Sequence, residues 1–234
     1  MTGPSLGALV RIAIVAGIIA AAVSSLFHSL ATEPVIERAI KLEQHLRVAK
    51  GEAAAEPLLS RTVQRVGLVV GFLLYGIIWG IVSGLLLRLG SAWFPRRSAI
   101  HRALYVTLFL GWSVAIFPAL KYPPSPPGVG AAETIVTRQA LYLTFIGLSV
   151  AGTLLFLWAQ RLRNPALPRV AIAAIYFAYL AALYIWMPQS TEPATLPQQV
   201  TLTFRALSMA GLLLFWGVMA ATLASFLKEA AVRP

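Results

Sequence analysis

Six apolar runs, each free of Asp, Glu, Lys and Arg, alternate with polar segments along the chain: Ile12–Leu30, Val66–Leu87, Ala103–Leu120, Ala140–Ala159, Val170–Met187 and Ala206–Leu227. A helix rises about 1.5 Å per residue and needs roughly 20 such residues to cross a hydrocarbon core of about 30 Å. The pattern predicts an all-α, polytopic transmembrane bundle of about six spans, a single integral membrane domain over residues 1–234. The third and fifth runs are the shortest, and Pro118 sits near the end of the third. The first run is longer than a typical leader core and no small-x-small cleavage site follows it, so it is expected to remain as a span.

The sizeable polar stretch is residues 31–65. Thr32 is a candidate helix cap and Pro34 suits a first turn. Val35, Ala39, Leu42 and Leu46 then recur at helical spacing, while Glu33, Glu37, Lys41 and His45 form an i, i+4 stripe on another face. Gly51 is a suitable stop. An extracytoplasmic amphipathic helix, joined by a short linker to the second span, is expected here.

Composition agrees with the pattern: 59% of the 234 residues are hydrophobic and 12% charged, where soluble domains carry about 25% charged residues. The net charge of +11 does not point to nucleic acid, because the basic residues are scattered between apolar runs and read as topology signals and headgroup contacts. Loops two-to-three and four-to-five carry Arg88, Arg96, Arg97, Arg102, Arg161, Arg163 and Arg169; the alternate short loops carry Lys121, Arg138 and Arg205. Arg11, Lys228 and Arg233 fall on the richer side, so both termini are expected in the cytoplasm. Glu33, Glu37, Glu43, Glu52, Glu56, Glu133 and Glu192 then lie outside, and Glu229 inside. A weak repeat accompanies this: Arg65 and Arg88, Arg138 and Arg161, Arg205 and Lys228 bracket alternate spans, each pair 23 residues apart. It is compatible with three helical hairpins from one ancestral unit.

Candidate chemistry gathers at the outer side. Lys121-Tyr122-Pro123-Pro124-Ser125-Pro126-Pro127-Gly128-Val129-Gly130, followed by Glu133 and Arg138, is stiffened by its prolines and allowed to reverse by its glycines. It serves either as a rigid turn or as a roof that fixes Lys121, Tyr122 and Glu133. His28, inside the first span near its outer end, is an ionisable group at a depth where such groups face the bundle interior. With Glu33 and Glu37 it forms a candidate metal site suited to divalent cobalt, nickel or zinc, the plain alternative being a hydrogen-bonded histidine beside solvated glutamates. His45 and His101 read as surface residues. Gly76, Gly80 and Gly84, with Gly71 nearby, have the spacing of small-residue helix packing. Trp79, Trp93, Trp112, Trp158, Trp186 and Trp216 read mostly as interface anchors. The absence of cysteine excludes thiolate sites. No nucleotide loop, metalloprotease motif or catalytic triad is present, so no enzyme and no bound cofactor is expected.

Glu33-Pro34-x-Ile36-x-x-Ala39-Ile40-x-x-Glu43, Gln64-Arg65-x-Gly67, Lys121-Tyr122-Pro123 with Pro127-Gly128-Val129-Gly130, and Thr137-Arg138 together resemble the CbtA family, described as predicted cobalt-transporter subunits in bacteria. The resemblance runs from the first span into the fourth and is most specific in the proline loop. It implies uptake of Co2+ across the bacterial inner membrane for cobalamin-related metabolism, often with a small single-span partner whose tail is histidine-rich. Descriptions of the family tend to count five spans where hydropathy here gives six. The chain is thus expected to be a cobalt-uptake subunit in the lipid bilayer. The alternative is a structural accessory subunit of a larger membrane complex, for which apolar faces and small-residue stripes suffice.

Overall fold

The computed structural model describes residues 4–51, 59–93, 98–127, 129–130, 132–162, 168–190 and 196–232. Glu52, Glu56, Arg96, Arg97, Gly128, Arg163, Thr191, Glu192, Pro193 and Arg233, and the Trp93 side chain, lie outside the described residues. The helices are α1 (Leu6–Phe27), α2 (Glu33–Ala49), α3 (Arg61–Trp93), α4 (Ala99–Gly111), α5 (Phe117–Lys121), α6 (Ile135–Arg161), α7 (Arg169–Trp186) and α8 (Gln198–Val232). Among the described residues these form six rods long and apolar enough to cross a membrane. Much of their outer surface is aliphatic or aromatic: Leu26, Leu155, Phe177 and Ile185 are all exposed. Such a surface belongs in hydrocarbon, where only helices and closed barrels satisfy their backbone polar groups.

Two of the rods are built from two helices joined by a single widened turn. A π turn at His28–Thr32 links α1 to α2, and another at Trp112–Ile116 links α4 to α5. Each is followed at once by a helix with proline in its first turn, Pro34 and Pro118. Proline has no N–H to donate and its ring clashes with the carbonyl four residues back. The extra residue of a π turn moves that carbonyl out of register, so the helical path continues. The proline that reads as the start of a new surface helix therefore lies inside one continuous helical path, Leu6–Ala49. Thr32 makes no side-chain cap bond there. Its hydroxyl pairs instead with His28 Nδ1 at 2.8 Å.

Glycines set the closest helix contact. A Cβ at Gly80 would lie 2.7 Å from the Ala13 carbonyl oxygen, and one at Gly84 2.6 Å from Val10 Cα. Gly17 and Gly76 touch backbone to backbone. The stripe expected on the second span thus packs on α1, whose facing residues Ala13, Ala16, Ala20 and Ala21 are buried and also small. α8 covers α1 and α4, and the four rods share a core of Leu9, Leu87, Val106 and Leu223 at one end, with Phe215, Trp216 and Met219 further along. α6 and α7 form a separate hairpin, joined by bonds from Tyr179 Oη to the Leu148 carbonyl (2.8 Å) and between Thr153 Oγ1 and Tyr176 Oη (2.9 Å). It docks on α5 through Phe117, Phe145 and Leu183.

This packing does not show three equivalent hairpins. α7 pairs with α6, while α8 lies against α1 and α4. The tryptophans also divide. Trp158 and Trp186 are exposed as anchors would be, whereas Trp216 is buried and Trp79 packs beside it, 5.7 Å between rings, in the bundle core. Both sit in mid-helix, and the small residues of α1 leave room for large rings to turn inward.

Gly80→Leu is expected to force α1 and α3 apart and to cost about 1–3 kcal/mol or more. Gly71→Leu, where nothing lies within 4 Å of an added Cβ, is expected to be neutral. Thermal unfolding of the two variants in the same detergent checks this.

Candidate functional site

The polar stretch after α1 is tied to α3 by ions. Glu33 is nearly buried and accepts from Arg61 Nη2 at 2.5 Å and from Arg65 Nε at 3.0 Å. The other arm of Arg65 pairs with Glu37, and Arg61 also donates to Gln64. The i, i+4 spacing of Glu33 and Glu37 puts both carboxylates on the face turned towards α3. On its other side α2 packs Val35, Ala39 and Leu42 against Leu196, Val200 and Val129. The helix is thus fastened to α3 by charge and to α8 and the proline loop by apolar contact.

The proline loop is seated by named bonds. Lys121 Nζ donates to the Tyr184 carbonyl at 2.7 Å and lies 5.0 Å from the Tyr184 ring centre. Tyr122 Oη donates to the Pro188 carbonyl at 2.7 Å, and its ring meets Phe145 edge-on. The last carbonyls of a helix have no partner within it and attract cations, so Lys121 caps the end of α7, while Tyr122 holds the segment just past it. Burial pushes the Tyr122 phenol up, which keeps it a donor. Pro126 is fully buried, and Val129 N–H closes a turn onto its carbonyl at 3.3 Å. Gly130 has a φ of +100°, and the Arg138 guanidinium lies where a Cβ would stand, 2.9 Å from its Cζ. The positive φ favours glycine there, and the missing side chain lets the guanidinium rest on the loop.

Under this loop lies a cavity of about 830 Å³, bounded by the ends of α1, α5, α6, α7 and α8. His28 lines it. The imidazole stacks on Phe72 with 5.1 Å between centres and fills the space over Gly211, where an added Cβ would collide with it. Lys121, Tyr122, Pro123 and Arg138 also line the cavity, together with Gln139, Tyr142, Gln189, Arg205 and Ser208. Glu33 and Glu37 belong to the ion-pair cluster with Arg61 and Arg65. Glu133 is exposed on the short turn before α6, and Pro127 is exposed on the loop. The structure therefore brings Lys121, Tyr122, Pro123, Arg138 and His28 to one cavity, and Glu33 with Glu37 to a neighbouring cluster. His45 and His101 are exposed, as their polar surroundings imply, and Ser98 Oγ pairs with His101 Nδ1 at 2.8 Å.

Arg205, Ser208 and Leu212 on α8, and Ile135, Arg138, Gln139 and Tyr142 on α6, face the cavity. Loop charge alone marks Arg205 only as a topology signal. A further signal is present in the sequence: both sets recur at i, i+3, i+4 or i+7, the spacing of one helix face. Gly211 and Phe72, which hold His28, carry no such signal because their role depends on which helices meet.

Comparison with known proteins adds a family. The model of the CbtA family, described as probable cobalt transporter subunit, matches residues 6–228, which takes in the fifth and sixth spans as well. No curated protein and no solved structure matches the chain.

Two outcomes follow for the architecture of this end. Tyr122→Phe is expected to lower stability by about 1 kcal/mol, the worth of one hydrogen bond. Because the folded phenol titrates above its ordinary value of 10.0, that contribution is present below this pH and fades as pH rises through the folded value. Denaturation of wild type and variant at neutral and strongly alkaline pH reads both effects. Glu33→Gln is expected to loosen α2, seen as faster limited proteolysis within 33–49, whereas Glu43→Gln, whose partner Arg47 stands 4.0 Å away on the same helix, leaves cleavage unchanged.

Proposed function

We propose, from the premise that this chain belongs to the CbtA family, that it is the membrane-spanning subunit of a cobalt uptake system, with the cavity under the proline loop as its mouth. The chain is a multi-pass membrane protein of six candidate spans, and its family is described as probable cobalt transporter subunit. The observation that supports this reading best is His28. It is an imidazole at the end of a span, lining a cavity of about 830 Å³, on a π turn of the kind found at functional sites. Neutral imidazole suits divalent cobalt.

In this reading His28 is the first metal-contacting group. Glu33 and Glu37 join it as the candidate metal site only when Arg61 and Arg65 release them. The proline loop, held by Tyr122 and by Gly130 against Arg138, roofs the mouth. The loop-bearing end faces outward and both termini face the cytoplasm of a bacterium, as the distribution of arginines favours. The motive force comes from elsewhere, since the apolar runs contain no Asp, Glu, Lys or Arg to serve as a mid-membrane proton relay. A small single-span membrane partner with a histidine-rich tail fits as the component that delivers cobalt to this mouth.

A second reading, an accessory subunit of a larger membrane complex, is favoured by one observation: among the described residues no three His, Cys, Asp or Glu side chains gather where they hold a metal. Cobalt accumulation separates the two, measured in cells lacking the chain and complemented with wild type or variants. The transport reading expects His28→Ala to reduce accumulation about 10–100-fold, as lost metal ligands and their supports do. Accumulation that needs the chain yet survives His28→Ala, Glu33→Gln and Glu37→Gln rejects the site. Accumulation that does not need the chain, with loss of a membrane complex on its deletion, establishes the accessory role.

A further inference from the structure

The charge of the cavity has the same sign as a bare metal ion. Lys121, Arg138 and Arg205 all line it, from α5, α6 and α8, and no Asp or Glu does so among the described residues. The carboxylates nearest in sequence are engaged or turned away: Glu33 and Glu37 hold Arg61 and Arg65, and Glu133 is exposed on its turn. The remaining polar lining is rich in groups that donate hydrogen bonds: Gln139, Gln189 and Tyr142. Arg205 Nε is buried with no hydrogen-bond partner among the described residues. An unmatched buried guanidinium donor is costly, and a small turn of the Arg205 side chain, which already lines the cavity, would bring that donor to an oxygen acceptor placed there. Lys121 spends one of its three donors on the Tyr184 carbonyl, which fixes the ammonium at the rim while leaving N–H groups for a ligand.

We propose that this cavity is an oxyanion site for a small ligand carrying two or more carboxylate or phosphate groups. Three cations spread around a space of about 830 Å³ repel a bare dication and attract a multivalent anion, and the volume lies within the roughly 300–1,000 Å³ of small-molecule sites. Guanidinium groups engage carboxylate and phosphate through paired N–H donors, which an ammonium cannot do. Two sources supply this chemistry: a soluble polycarboxylate, or the phosphate of an anionic lipid reaching in from the bilayer. In the first case, and resting on the transport reading, cobalt reaches His28 as an anionic chelate whose ligand is held by Arg138 and Arg205.

The test uses the full chain in nanodiscs of phosphatidylcholine, with labelled citrate and no cobalt. Saturable binding is expected, weakened about tenfold or more by Arg205→Gln, the cost of one charge-assisted hydrogen bond. Arg205→Lys is expected to restore part of it, and binding to wild type is expected to fall steeply with salt. In parallel, nanodiscs doped with phosphatidylglycerol are assayed for lipid retained on the purified chain. Retention that depends on Arg205, with no citrate binding, assigns the oxyanion to the lipid. Citrate and phosphatidylglycerol that both ignore Arg205→Gln and salt overturn the proposal. Should Arg205→Gln not fold, Lys121→Gln and the salt dependence of wild type decide the question in the same way. Because cobalt is absent, failure here leaves the transport reading standing, and failure of cobalt uptake leaves the oxyanion site standing.

Discussion

In hydrocarbon, apolar surface gains little by leaving lipid for another helix, so helices hold together where their backbones come close enough for dense van der Waals contact. The approach of α1 to α3 meets that condition along most of its length. Gly17 touches Gly76, Gly80 rests on the Ala13 carbonyl, and Gly84 on Val10. The arrangement around the cavity depends on this contact. It carries the end of α1 to the beginning of α3, so that Glu33 meets Arg61 and Arg65 and His28 meets Phe72. The small residues of α1 also admit α8, whose Gly211 gives the imidazole its space.

From that pair outward the bundle is less tightly built, and the looseness has a use. The α6–α7 hairpin meets the other rods mainly through α5 and the π turn before it, and the gap between the hairpin and α8 is the cavity. The proline loop spans it, anchored at one side by Tyr122 on Pro188 and at the other by Val129 among Ala39, Leu196 and Val200. Both π turns lie in the rods that border this region. They let α1 and α4 continue past prolines that would otherwise end them, and so place His28 and Phe117 at the cavity and its supporting cluster.

Much of this is legible in the sequence. The six spans follow from runs without formal charge, and the glycine stripe from its four-residue spacing, because both depend on local pattern alone. The stiffness of Pro123–Pro127 and the presence of Gly130 likewise announce a fixed loop. What stays hidden depends on which helices meet. Hydropathy offers no reason to set α8 beside α1, so Trp79 and Trp216 read as membrane anchors and Arg205 as a topology marker. His28, Glu33 and Glu37 are close in sequence and invite a single site. Across the π turn between them, the two carboxylates pair with Arg61 and Arg65 while the imidazole stacks on Phe72 and lines the cavity, a division decided by the side chains that the neighbouring helices present. Pro34, which looks like a helix start, is the local sign of that turn.

The proposed route takes cobalt through this chain at the His28 cavity. It is read most plainly as metal entry into proteoliposomes that contain the purified chain and enclose a dye quenched by cobalt, with cobalt supplied free and as its citrate complex. Quenching is expected to require the chain and to be abolished by Gly211→Leu, which fills the space now held by the imidazole. Quenching unaltered by that substitution in a correctly folded protein would contradict the route. Absence of quenching under either condition would contradict the transport role itself.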